Sequence, residues 1–128
     1  MNREDYDLII IGTGSGNTII TPEFDSWKIA IIEKETFGGT CLNRGCIPSK
    51  MLVHVANTIC EIERSGVIGI DSSINDIRWK DISNRIYGRI DPIAEGGKEY
   101  RENLPNVTVY EGHAKFLDNK VIEVNGNQ

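Results

Sequence analysis

No apolar run in this chain of 128 residues exceeds four, the length of Leu8–Ile11 and of Ile29–Ile32. A membrane-spanning helix needs about 20, so no membrane span is expected. The start, Met1-Asn2-Arg3-Glu4-Asp5-Tyr6-Asp7, is acidic and does not read as a secretory signal. A cytoplasmic location is the expectation. Basic charge is also short: 14 Lys and Arg stand against 19 Asp and Glu, a net charge of −5. With no basic stripe and no run of like charge, neither nucleic acid nor an anionic membrane is an expected partner. Histidine is scarce, with only His54 and His113. Neither completes a four-ligand zinc set with the cysteines, so no metal site is expected. Cysteines number three, and an odd count does not make a structural disulfide framework.

What is present is a globular composition, 39% hydrophobic and 26% charged, of a size for one domain. Leu8–Ile11, ending at Gly12, reads as a buried parallel strand. Gly12-Thr13-Gly14-Ser15-Gly16-Asn17 reads as a glycine turn opening a helix that Pro22 limits. Lys28–Ile32 is a second strand with Glu33 at its end. Met51, Leu52, Val55, Ile59 and Ile62 form the stripe of a further helix, broken at Gly66 and Gly69. Asn75 or Asp76 is the expected cap of another, with Trp79, Ile82, Ile86 and Ile90 in the core and an interruption or kink at Pro92 and Gly96-Gly97. Val107–Tyr110 is a third parallel strand, and Ala114–Phe116 and Lys120–Val124 flank an Asp118-Asn119 turn. Strand, glycine turn, helix, strand and acid make one βαβ unit of an α/β, Rossmann-like fold.

Two motifs carry chemistry. In the first, Gly12 allows a tight turn, Gly14 lets backbone approach a pyrophosphate, and the amides of Ser15 and Gly16 can donate to phosphate oxygens. Glu33, 19 residues past Gly14, suits a ribose without a phosphate. Asn17 stands where the dinucleotide fingerprint wants Gly or Ala, a position that serves close helix–strand packing. The second motif is Gly38-Gly39-Thr40-Cys41-Leu42-Asn43-Arg44-Gly45-Cys46-Ile47-Pro48-Ser49-Lys50. Residues five apart in a regular helix are rotated by about 140° and separated by roughly 8 Å, whereas a disulfide needs Cα atoms within about 7 Å. Cys41 and Cys46 can therefore bridge only across irregular backbone, for which Gly45 and Pro48 are the candidates. Lys50 adds positive charge one turn beyond Cys46. The pair reads as a reducible disulfide; inert thiols or half a zinc site are the alternatives. Cys60 reads as a buried structural thiol and His54 as a partly exposed helix residue.

The glycine motif, Glu33 and the thirteen-residue cysteine motif together resemble the FAD-binding start of the pyridine nucleotide–disulfide oxidoreductases. The resemblance runs over essentially the whole chain. It implies a Rossmann-like FAD-binding domain with a parallel sheet and a short β-meander, incomplete in residues 1–128, with the NAD(P)H and dimer-interface domains absent from them. It implies FAD as cofactor, NADPH as co-substrate, a homodimer, and a small-molecule disulfide substrate. Ile11–Asn17, Trp79 with Gly88–Ala94, and Val109–His113 most resemble family members that act on mycothione, which the resemblance thus implies as substrate, with lipoamide, glutathione or mercuric ion as alternatives. By the same resemblance Cys41 is the interchange thiol and Cys46 the thiol against the flavin, with Lys50 near the flavin ring. Gly12, Gly14, Ser15, Gly16, Gly39 and Thr40 line the pyrophosphate, Glu33 the adenosine ribose, and Ala114 offers backbone to the adenine. A non-catalytic flavin-binding module is the alternative from another class.

Overall fold

The computed structural model describes residues 3–128. Its centre is a three-stranded parallel sheet, β1 (Leu8–Ile11), β2 (Ile29–Glu33) and β3 (Val107–Glu111), in that order across the sheet. Registers run Leu8–Ile29–Val107 and Ile10–Ile31–Val109. Because side chains alternate along a strand, those six residues share one face. Phe37 closes over them, with Ile20, Phe24 and Leu104 packed around it. β2 is buried along its whole length, and Ile29 and Ile31 are fully so. Truncating a side chain such as Ile31 to alanine costs about 2–5 kcal/mol.

The opposite face carries Ile9, Ala30, Ile32 and Tyr110. It is roofed by the N-terminal segment and by the antiparallel hairpin of β4 (Lys115–Asp118) and β5 (Val121–Glu123), over a cavity of 60 Å³. The Tyr6 and Tyr110 hydroxyls meet at 2.8 Å with their rings edge to face, bolting the N-terminal segment to β3. With a cover on each face, the parallel sheet meets its usual requirement.

Three helices follow the sheet's carboxyl edge: α1 (Gly39–Asn43), α2 (Cys46–Arg64) and α3 (Trp79–Glu102). Several expectations are corrected here. The glycine turn opens no α-helix. It leads into a 3-10 turn at Ser15–Ile19 and another at Pro22–Phe24, because Ile19-Ile20-Thr21 supplies three β-branched residues and Pro22 then forbids propagation. α3 begins at Trp79 behind Arg78, not behind Asn75 or Asp76. Its buried stripe is Ile86, Ile90 and Ala94, while Trp79 is 61% exposed and outside the core. The helix runs unbroken through Pro92, Gly96 and Gly97. Proline at 92 orphans only the carbonyl of Gly88, and that residue is solvent-exposed, so water can serve it. Cys60 is exposed rather than buried, whereas His54 stands exposed on a helix, close to its expected place. No helix among the described residues is long and apolar enough to cross a membrane.

Candidate active site

The strand ends build the site's floor. The Gly12 amide donates to Ile32 O at 2.7 Å and the Gly112 amide to Glu33 O at 2.8 Å, carrying the ladder past β1 and β3. This places the glycine loop, Glu33 and the start of the cysteine motif at one edge, where open α/β sheets take their ligands. A cavity of 290 Å³ lies there, lined by residues that include Gly12, Gly14, Glu33, Gly39, Thr40 and Arg44. A Cβ built on Gly12, Gly14 or Gly16 would meet nothing within 4 Å, so the space over the loop is open.

Glu33 is the buried acid of this edge, 8% exposed. Its Oε2 accepts from the Thr13 amide at 2.9 Å and from Thr13 Oγ1 at 2.7 Å, and its Oε1 accepts from the Glu35 amide at 2.9 Å. Thr13 Oγ1 in turn accepts from the Gly38 amide at 3.0 Å. Burial pushes the carboxyl pKa up, but the hydrogen bonds from Thr13 and from the backbone outweigh it and hold the group below its ordinary value. The Glu33 carboxylate is turned onto the glycine loop and fastens it.

α1 lies against that loop. Gly39 has φ +65, and a Cβ there would fall 2.6 Å from the Gly14 Cα, so the two backbones touch and only glycine fits. Beyond α1, Arg44 and Gly45 leave helical geometry, with Gly45 at φ −125 and ψ −117. A Cβ on Gly45 would come 2.8 Å from Thr40 O and 3.2 Å from Cys41 Cα. The break is thus at Arg44 and Gly45. Pro48, the other candidate, is a buried residue in the first turn of α2, where its missing N–H has no intrahelical partner to lose.

The break brings the thiols together. Cys41 and Cys46 are both exposed and free. Hydrogen bonding with the Cys46 thiol pushes the Cys41 thiol above its ordinary pKa, burial adds to this, and the Cys46 amide pulls the other way. The proximity of the two thiols and the open face suit thiol–disulfide exchange, while the raised pKa leaves Cys41 less of the reactive thiolate.

Of the residues singled out in sequence, Gly12, Gly14, Glu33, Gly39 and Thr40 converge on the cavity. Ser15 and Gly16 continue the loop on its exposed side, and Cys41 and Cys46 lie next along α1 and α2. Lys50 is exposed one turn further along α2. Ala114, between β3 and β4, lines neither this cavity nor the adjoining one of 540 Å³ around Lys34, Phe37, Ala94, Lys98 and Glu111. Among the described residues no group of His, Cys, Asp and Glu side chains is arranged to hold a metal.

No protein-family model matches the chain. Individual proteins do. Mycothione reductase of Mycobacterium tuberculosis is 50% identical over 113 residues, covering 88% of this chain and 25% of that protein. Mercuric reductase of Lysinibacillus sphaericus is 33% identical over 132 residues, covering 98% and 23%. The chain is homologous to the pyridine nucleotide–disulfide oxidoreductases. The fold agrees: the HOCl-induced flavoprotein disulfide reductase RclA from Escherichia coli superposes with a TM-score of 0.73 at 27% identity, over 96% of this chain and 25% of that one. The chain spans about a quarter of the length of these relatives.

Three residues of the site carried no signal in the sequence. Thr13 occupies the free position of Gly-x-Gly, where spacing carries no signal. Arg44 pairs with Glu35 at 2.7 Å on the rim shared by the two cavities. Arg101, far along the chain, donates from Nε and Nη2 to Asn17 Oδ1 at 3.0 and 2.8 Å. The departure at Asn17 was the one visible sign of that contact.

Proposed function

We propose that this chain is the FAD-binding and redox-active part of a disulfide reductase whose dithiol, Cys41 and Cys46, reduces a low-molecular-weight disulfide. One observation carries the reading: Gly39 sets α1 backbone to backbone against Gly14, so the paired thiols stand beside a glycine-lined nucleotide cavity. The residues fit a dinucleotide. The space over Gly12, Gly14 and Gly16 is open, and a second cavity of 540 Å³ shares Glu35 and Arg44 with the first. Gly12, Gly14, Ser15, Gly16, Gly39 and Thr40 would hold the pyrophosphate, Glu33 the ribose side, and Lys50 the flavin end, with Ala114 toward the adenine. When bound, FAD supplies two-electron reducing equivalents for the disulfide.

The chain's own residues perform the exchange. The Cys41 thiolate attacks one sulfur of the substrate disulfide and expels the other half as a thiolate, which takes up a proton. The Cys46 thiolate then attacks Cys41 Sγ and releases the second substrate thiol. The dithiol is oxidised to the Cys41–Cys46 disulfide while one substrate disulfide becomes two thiols. Mycothione is the favoured substrate, on the 50% identity to a mycothione reductase; lipoamide and glutathione disulfide would pass through the same exchange, whereas mercuric ion, the remaining alternative, has no S–S bond and would not. NADPH as reductant and a homodimeric partner are assigned to polypeptide outside residues 1–128.

The test is the absorption spectrum of the purified chain with FAD, before and after a dithiol. Bound flavin with a long-wavelength charge-transfer band that Cys46→Ser abolishes is the expected result. Bound flavin with the same spectrum in Cys46→Ser would overturn the role of the pair.

A further inference from the structure

Asn17 stands where the fingerprint calls for a glycine, and its side chain makes four hydrogen bonds. Its Nδ2 donates to Thr13 O at 2.8 Å and to Gly14 O at 2.6 Å. Its Oδ1 accepts both prongs of Arg101. A guanidinium only donates, so Arg101 decides which end of the Asn17 amide faces it and turns Nδ2 toward the loop.

The consequence follows from planar geometry. No peptide among the described residues is cis, and in a trans peptide the C=O and the next N–H point in opposite directions. Holding the carbonyls of Thr13 and Gly14 on the Asn17 side therefore aims the amides of Gly14 and Ser15 away from Asn17. A Cβ on Gly14 would meet nothing within 4 Å, so the loop has open space around it.

Arg101 is itself held. It lies in the last turn of α3, where a cation is favourable, and its guanidinium stacks over the Tyr100 ring at 5.0 Å. It is thus preorganised before any ligand arrives.

We propose that Arg101, acting through Asn17, is a positioning residue that presets the glycine-loop peptides of Thr13–Ser15 for the pyrophosphate of the dinucleotide. The proposal rests on the flavin reading above and extends it to a residue on α3. It also accounts for the loop working without an α-helix behind it, since side chains orient the peptides that a helix would otherwise align.

The experiment is a flavin-fluorescence titration of the chain with FAD, in a cycle of Asn17→Ala, Arg101→Gln and the double variant. Urea midpoints of the flavin-free proteins are measured alongside. Each single variant should weaken FAD binding about tenfold, and the double variant no further, because both remove one linked unit. The urea midpoints should move far less than the affinities. Arg101→Lys keeps the charge but not the two-pronged contact, so it should behave like Arg101→Gln. Restoration of affinity by lysine, or additive losses in the double variant, would overturn the clamp. Losses of affinity that merely track the urea midpoints would overturn it in favour of a structural role. Uptake of FAD equal with and without Arg101 sinks the clamp alone, whereas no uptake by the unsubstituted chain sinks the flavin reading and the clamp with it.

Discussion

At Glu33 burial and hydrogen bonding pull the carboxyl in opposite directions, and hydrogen bonding wins. A depressed carboxyl contributes stability above its unfolded pKa of about 4.3 and loses it as pH falls through the lower folded value. The glycine loop should therefore loosen below about pH 4, read as a lower protection factor of the Thr13 amide against hydrogen exchange, corrected for the intrinsic rate at each pH. Glu33→Ala leaves both Thr13 donors without their acceptor and should cost roughly 2 kcal/mol, measured by urea unfolding at pH 7. At Cys41 the direction is reversed, since the Cys46 thiol raises its pKa. Alkylation of Cys41 by iodoacetamide should have its pH midpoint above the ordinary thiol value of about 8.5. Cys46→Ala should bring that midpoint down, and an unchanged midpoint would remove Cys46 as its cause.

Among the elements, the joint between α1 and α2 carries the sharpest prediction. A methyl on Gly45 would collide with Thr40 O and press on Cys41 Cα. Gly45→Ala should hold the helices apart and slow air oxidation of the Cys41–Cys46 dithiol at least about tenfold, if the displaced backbone costs even 1.4 kcal/mol in the closing geometry. A free-thiol assay over time measures this. The sheet offers a test in the other direction. Ala30 is buried at the centre of β2 and lines the 60 Å³ cavity under the hairpin. Ala30→Val adds two methyl groups there along with β-propensity, and should raise stability by about 0.5–2 kcal/mol in thermal unfolding. These elements differed in how far sequence revealed them. β1 and β2 were legible as short continuous apolar runs, and β3 through its β-branched Val107-Thr108-Val109, although only β2 is buried along its whole length. The 24 residues of α3 were harder, since proline and glycine argue locally against a helix that Ile86, Ile90 and Ala94 secure by burial.

For the molecule as a whole, ligand and fold are linked through one sheet edge. FAD at a hundredfold excess over its Kd should stabilise the chain by about 2.7 kcal/mol, a Tm rise of about 10 °C, checked by calorimetry with and without flavin. The site was legible where it is local, in Gly12–Gly16, Glu33 and the cysteine motif. It was illegible where partners come from distant parts of the chain. Asn17 and Arg101 are separated by 84 positions, and only folding brings α3 to the loop. Thr13 was hidden for a different reason: its importance lies in a buried hydroxyl bridging Glu33 and Gly38, which no spacing rule encodes.

The contact between Gly39 and Gly14 has a consequence for how such a protein can be altered. On the function proposed above, anion recognition and sulfur exchange would meet at this single backbone contact. A wider cradle cannot be engineered from the loop side without shifting the thiols, nor can the dithiol be re-aimed through α1 without crowding the nucleotide. The two halves must be redesigned together, with residues 14 and 39 treated as a single position.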